Sequence, residues 1–525
     1  MSYNEVNDDA ADPLNDEDAP QKPQSGGGNC CLQLVATCCG LFCCGGFIAV
    51  IILLIALGPV GWIILGSAVV LFIVLFAAIF CLHQFVIEGT TFHLFNYFLP
   101  FLQYGLKSQF QGEPGVKEFW KSMEEEEGSY VAEGIGPNTK TYFGWYEAKA
   151  MLASWGDRLA NQTMRRHNEL GTALMGAGPW PAMQTIALGY TRDDHAVARP
   201  FIAGAVDGSR VEDNVPCDGS SSWSHAWLRQ QWRDRFDDTD SFSTSATTWW
   251  CTKILHKIHL NIDLDDDECQ NFINFPGCLS FPGAGKVGVG LGNITDRELC
   301  LFKCFTPLPC FNCKYQGHLE KIKQALQDKF PDADWSDERK LDCVGQMFLD
   351  SLMYAGGLSV PTILQNMLAW WYSDNRPSDL DRVTAQDEDS IKDFMWETIR
   401  RNPPVAGVPR WVSDDDGETW QHEIANVEQA MGDERIFPNP MEFRMGRDGL
   451  NARDYRYSMT WADFAIVNND TCHPDSHVCP GKQLSLDMVV AFWQEFLQCP
   501  YETTTTGISV GYNLTTTFTL TRDDL

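Results

Sequence analysis

The chain has 525 residues, 44% of them hydrophobic and 12% aromatic, and a net charge of −31. That length and apolar content support a large folded core and exclude a wholly disordered protein. A surface this acidic repels phosphate backbones, which argues against a nucleic-acid partner.

Residues 1–28 are acidic and end in Ser25-Gly26-Gly27-Gly28, which reads as a disordered tail. From Pro23 to Ile87 there is no Asp, Glu, Lys or Arg, and Phe47–Phe80 is almost purely apolar. A bilayer span needs about 20 such residues, so 29–82 is predicted to be a Cys-rich transmembrane anchor. Gly58-Pro59-Val60-Gly61 interrupts it. One kinked helix is the simpler reading; a hairpin with arms Leu41–Leu57 and Trp62–Leu82 stays open. Cys30, Cys31, Cys38, Cys39, Cys43 and Cys44 precede the span, as targets for S-acylation or as small apolar fillers. There are 19 cysteines in all, an odd number without the look of a disulfide framework, as suits a domain facing the cytosol.

Residues 83–114 are rich in aromatics (Phe92, Phe95, Tyr97, Phe98) and read as an interfacial linker. From 115 to 525 the chain is ordinary globular sequence. Helical patterns run over Gly144–Asn161, Glu320–Phe330, Leu341–Tyr372, Asp387–Arg401 and Gly481–Leu497. Short β-like runs lie between the last two and over Gly507–Thr521. The predicted fold is mainly α with small β-sheets.

Three motifs carry chemistry. In Glu397-Thr398-Ile399-Arg400 the charged residues share a helix face and can pair, and Pro403-Pro404 stops that helix. The irregular run Phe437-Pro438-Asn439-Pro440 to Arg447 follows, and Arg447 is placed to reach that pair. Then comes His477-Val478-Cys479-Pro480-Gly481-Lys482. Leu484, Met488, Phe492 and Phe496 step by four after it, so a core-packed helix begins just past Cys479. A helix N-terminus favours a thiolate, and Gly481 lets the loop pass close to a flat ligand.

In order and spacing these motifs resemble the cytochrome P-450 superfamily, from about residue 115 to the end. The resemblance implies a haem b (iron protoporphyrin IX) cofactor with Cys479 as axial ligand to iron, and a structural trio of Glu397, Arg400 and Arg447. Asp193-Asp194-His195-Ala196-Val197-Ala198-Arg199 is similar to the family's propionate-binding helix, which implies that His195 and Arg199 hold a haem propionate. Val408-Pro409-Arg410 stands where another propionate-binding Arg is usual. Tyr354-Ala355-Gly356-Gly357-Leu358-Ser359 resembles the oxygen-side helix, with Ala355, Gly356 and Ser359 as candidates there.

Two departures matter. His477 stands where an Arg would bind a propionate, and Cys472 where a Phe is usual. Leu358 and Ser359 fall where oxygen-activating members carry an acid and an alcohol. Gly356-Gly357 with Pro361 is similar to allene oxide synthases and hydroperoxide lyases, although their distal Asn would fall at Met353. A dioxygen-using monooxygenase and a hydroperoxide-using enzyme both remain open, beside a non-catalytic haem protein and a haem-free membrane scaffold. The expected substrate is hydrophobic and lipid-like. The expected partners are a membrane and, for a monooxygenase, a flavin reductase. The expected place is the endoplasmic reticulum or plastid envelope, with the catalytic domain toward the cytosol.

Other motifs read as bland. Gly283-Ala284-Gly285-Lys286-Val287-Gly288 lacks the flanking strand and helix of a dinucleotide site. Cys300, Cys304, Cys310 and Cys313 have an unfamiliar spacing for zinc and are interleaved with Phe, as in an apolar loop.

Overall fold

The computed structural model describes two strands within 84–93, then 115–155, 159–161, 192–206, 223–277, 309–352, 359–413, 421–510 and 517–522, with short breaks near 116, 126, 136 and 406. The chain divides into two units, Met1–His83 and Gln84–Leu525, and the described residues belong to the second. The predicted tail 1–28 and anchor 29–82 lie outside the described residues, as do Ala355 and Gly356. Among the described residues no helix is long and apolar enough to cross a membrane.

The architecture is mainly helical with three small sheets. Strands β1 (Gln84–Ile87) and β2 (Thr90–His93) pair antiparallel within the expected linker. A five-stranded sheet has the order β3 (Val131–Glu133), β4 (Thr139–Tyr142), β8 (Gln421–Ala425), β7 (Val408–Ser413), β5 (Leu159–Asn161). Only β4 and β8 run parallel in it. A three-stranded sheet joins β6 (Ser241–Ser243), β10 (Thr519–Arg522) and β9 (Tyr501–Glu502).

The helices are α1 (Trp145–Ala153), α2 (Arg192–Val206), α3 (His225–Asp237), α4 (Ala246–Leu260), α5 (Asp266–Gly277), α6 (Pro309–Lys329), α7 (Glu338–Asp350), α8 (Val360–Tyr372), α9 (Glu388–Arg401), the short α10 (Val427–Ala430) and α11 (Lys482–Phe496). Asp387 caps α9 by accepting the Ser390 N–H at 3.2 Å. Glu388 and Asp389 open α9 and Arg400 and Arg401 close it, each matched to the helix dipole. Leu484, Met488, Phe492 and Phe496 are buried along α11, which packs on α3 and α9. Deleting one of these large side chains costs roughly 2–5 kcal/mol.

Two helical expectations are corrected. Gly144–Asn161 forms a helix only over Trp145–Ala153; Leu159–Asn161 is instead the edge strand paired with β7. Leu341–Tyr372 is not one uniform α-helix. It comprises α7 and α8, with π-helical residues at 351–352 and 359. Such widened turns cluster at functional sites, because they redirect side chains inside a helix.

Candidate functional site

Helix α9 sets Glu397 and Arg400 one turn apart on its buried side. Arg400 holds both carboxylate oxygens, Nε donating to Oε2 at 2.8 Å and Nη2 to Oε1 at 2.7 Å. Arg447 Nε donates to the same Oε2 at 3.1 Å. Glu397 and Arg400 are 2% exposed and Arg447 5%. The other guanidinium N–H groups go to backbone carbonyls: Arg400 to Met431 and Pro440, Arg447 to Pro438 and Glu442. The Arg444 amide donates to Glu397 Oε1 at 3.0 Å. The irregular segment 431–447 is thereby stitched to α9, as expected from the motif spacing. Burial holds Arg447 below its ordinary pKa, although Glu397 opposes the shift.

The segment before α11 is fixed almost wholly by backbone. The amides of His477 and Val478 both donate to Ala465 O, at 2.7 and 3.1 Å, and the Cys479 amide donates to Trp461 O at 2.8 Å. Ser476, fully buried, accepts the Val467 N–H at 2.8 Å and donates to Asp470 O at 2.6 Å. Arg199, on α2, reaches in from the side: Nε donates to Thr471 O at 2.7 Å and Nη2 to Val478 O at 2.6 Å. Lys482 pairs with Asp463 and lies over the Tyr455 ring at 4.5 Å.

Cys479 stands at the N-terminal end of α11, two residues before Gly481, the N-cap. It keeps some accessible area, yet protein surrounds it on the longer range that governs desolvation. That burial raises the thiol pKa, while the Gly481 N–H and the Arg199 charge pull it down. A cation at the sulfur would tip this balance to the thiolate. Gly481 has φ −83°, so its backbone does not require glycine. An added Cβ would make ordinary contacts, 3.5 Å from Val206 Cγ1 and 3.8 Å from the Cys479 sulfur. A side chain at this position would lie against the Cys479 sulfur, so glycine leaves that sulfur less covered.

Three of the four residues expected at the propionates, His195, His477 and Arg410, are joined by one residue the sequence reading missed. The His195 ring stacks on His477, centroids 3.9 Å apart at 17°. Trp155 also packs against the His477 ring, at 4.4 Å. Over the Trp155 ring, 5.5 Å away, is the Arg410 guanidinium. His195 Nδ1 lies 2.8 Å from Pro474 O, so that nitrogen carries the hydrogen. Burial first, then the Arg199 charge, pushes the His195 pKa down to about 3.

Arg410 is ion-paired. Its Nε and Nη2 donate to Glu423 Oε2 at 2.9 and 2.7 Å, and Nη2 also donates to Ser154 Oγ at 3.0 Å. Arg410 and Glu423 are both 1% exposed and face each other across the β7–β8 register. Strand alternation between β7 and β8 was the signal that could have found Glu423. For Trp155 the only signal was its place at the end of an apolar helical pattern.

Ser359 is half-buried at the start of α8, beside the π-helical residue positions. The glycine-rich run 283–288, Cys300 and Cys304 lie outside the described residues, as do the side chains of Cys310 and Cys313 on α6. Among the described residues, no group of three His, Cys, Asp or Glu side chains could hold a metal ion. A single-sulfur axial ligand needs no such group. A half-buried sulfur at a helix start, a glycine beside it and a cationic and aromatic cluster nearby together fit haem.

No known family profile and no curated protein matches the chain. Solved structures do. P450BioI in complex with an acyl carrier protein ligated with hexadec-9Z-enoic acid superposes with a TM-score of 0.52 at 13% identity, over 79% of this chain and all of that one. A mutant of P450 EryK in complex with erythromycin B gives 0.50 at 14% identity, over 78% and 96%. CYP164A2 of Mycobacterium smegmatis gives 0.50 at 12% identity, over 81% and 99%. With the buried Glu397–Arg400–Arg447 trio and the Cys479 loop in place, the fold of this chain is that of the cytochromes P450.

Proposed function

We propose that the chain is a haem-thiolate oxidoreductase with Cys479 as the iron ligand, acting on an apolar substrate. The observation that carries this reading is the placement of the Cys479 sulfur. It sits at the start of a core helix, in a backbone-pinned loop, beside Gly481, which has no side chain to cover it. A thiolate-bound haem supplies oxidative chemistry in which electron density pushed onto iron favours O–O cleavage.

The chain's own contributions are holding and excluding. The trio of Glu397, Arg400 and Arg447 fixes the segment that leads into the loop. Arg199 and Ser476 fix the loop itself. His195, His477 and Arg410 would hold the carboxylates of a bound haem b, which require donors. The charge-free stretch 47–80 supports a membrane-anchored enzyme that draws lipid-like substrate from the bilayer.

A second reading, a hydroperoxide in place of dioxygen, is favoured by one observation. Leu358 stands where a proton-relaying acid would, and an oxidant carrying its own O–O bond needs no such relay. The test is turnover of a fatty-acid and sterol panel by the full-length protein, once with dioxygen, a flavin reductase and NADPH, and once with lipid hydroperoxides and no reductant. Product under the first condition alone assigns a monooxygenase; product under the second assigns the hydroperoxide reading. Stable haem binding without product under either condition contradicts the proposed enzyme.

A further inference from the structure

We infer that Trp155 is a cofactor-binding residue, its indole N–H donating to a carboxylate of the bound haem. This rests on the haem reading above and deepens it, because no motif assigns a role to Trp155.

The first observation is an unmet donor. Trp155 is 3% exposed, and its buried Nε1 has no hydrogen-bond partner among the described residues. Indole nitrogen is a donor only, so it needs an acceptor. No described residue supplies one, and buried N–H groups left unpaired are uncommon in native proteins. The side chain is held rigidly between the His477 ring at 4.4 Å and the Arg410 guanidinium at 5.5 Å. His477 is two residues from Cys479. An acceptor that belongs to a group bound at Cys479 is therefore close by in the chain's own architecture.

The second observation concerns the charges around it. Three of the four groups expected to meet the carboxylates are already engaged within the protein, Arg410 through Nε and Nη2 only. Arg410 is paired with Glu423, and Arg199 donates to Thr471 O and Val478 O. His195 is buried, with Nδ1 on Pro474 O. Its other nitrogen is an acceptor while the ring is neutral. A carboxylate arriving here meets less free positive charge than the motifs alone imply. A neutral, pre-positioned N–H then carries part of the recognition.

The test is haem release from the full-length holoprotein to excess apomyoglobin, for wild type and Trp155→Phe. Phenylalanine keeps a ring against His477 but has no N–H. The expected result is release accelerated about fivefold, the loss of one neutral hydrogen bond. With iron etioporphyrin, which carries alkyl groups in place of the propionates, the two proteins should release at equal rates. Equal rates with ordinary haem overturn the inference. So does an equal acceleration with the etioporphyrin, which would make Trp155 a packing residue.

Should Trp155→Phe fail to fold, indole ¹⁵N spectra of the wild-type reduced carbon-monoxide complex replace it. One indole N–H resonance must move downfield with haem relative to iron etioporphyrin, which has no carboxyl groups, and identical spectra overturn the inference. A wild-type protein that binds no haem sinks the haem reading itself. Normal haem binding with unchanged release sinks only the role of Trp155.

Discussion

Arg400 and Glu397 are joined by two hydrogen bonds, of 2.8 and 2.7 Å, with both side chains at 2% exposure and Arg447 closing on the same carboxylate. Removing the carboxylate charge leaves two guanidinium groups in the interior with no counterion. Breaking a buried pair in this way costs about 3–5 kcal/mol. Glu397→Gln should therefore lower the melting temperature by several degrees or abolish soluble expression. An unchanged melting curve would show that the trio is dispensable.

A second consequence follows at Ser476. Its hydroxyl satisfies the Val467 N–H and ties to Asp470 O, inside the loop that leads to Cys479. Ser476→Ala strands a buried donor at a cost of about 1–3 kcal/mol. The expected outcome is a matching loss in denaturant midpoint together with faster haem release. Destabilisation with unchanged haem release would separate this loop from the cofactor.

Gly481 offers the reverse separation. Alanine fits both its φ of −83° and its protein neighbours, which a Cβ would meet at 3.5 and 3.8 Å. Gly481→Val should accordingly leave the apoprotein's melting temperature within a few degrees of wild type while cutting haem occupancy severely. Titration with haem, followed at the Soret band, measures the second effect. Full occupancy in the valine variant would deny that the space beside the sulfur is used.

Acid should destabilise the fold well above the carboxylate range. Burial holds His195 at about 3 and His259 and His318 at about 4, and also pushes His256 well below its ordinary value. Unfolded histidines take up a proton below about pH 6.5, whereas these folded ones do not. The unfolded state then binds more protons, so stability is complete above about pH 6.5 and falls as pH drops toward 4. The melting temperature should already decline between about pH 6.5 and 5. Replacing His256 and His318, whose Nε2 atoms lie 3.0 Å apart, with Gln should flatten part of that slope. A flat profile down to about pH 5 would contradict the neutral, buried state of these rings.

What could be read from the sequence was what depends on near neighbours. Glu397 and Arg400 are three residues apart on one helix, and Leu484 to Phe496 step by four, so periodicity alone placed them. Arg447 was legible from its position in a run of motifs. Trp155 was not, because its surroundings are assembled from His477 and Arg410, far away in the chain. Glu423 was hidden because only the β7–β8 register sets it opposite Arg410. The end of α1 was overrun because residues 159–161 belong to a sheet edge, and pairing with β7 overrides local helical pattern.

The central claim is a bond between the Cys479 sulfur and haem iron. It is tested most directly by the reduced carbon-monoxide difference spectrum of the full-length protein beside Cys479→Ser. Wild type should show the strongly red-shifted Soret band of thiolate ligation, and the serine variant should lose it. A wild-type protein without a haem spectrum, or a serine variant that keeps the red-shifted band, would contradict it.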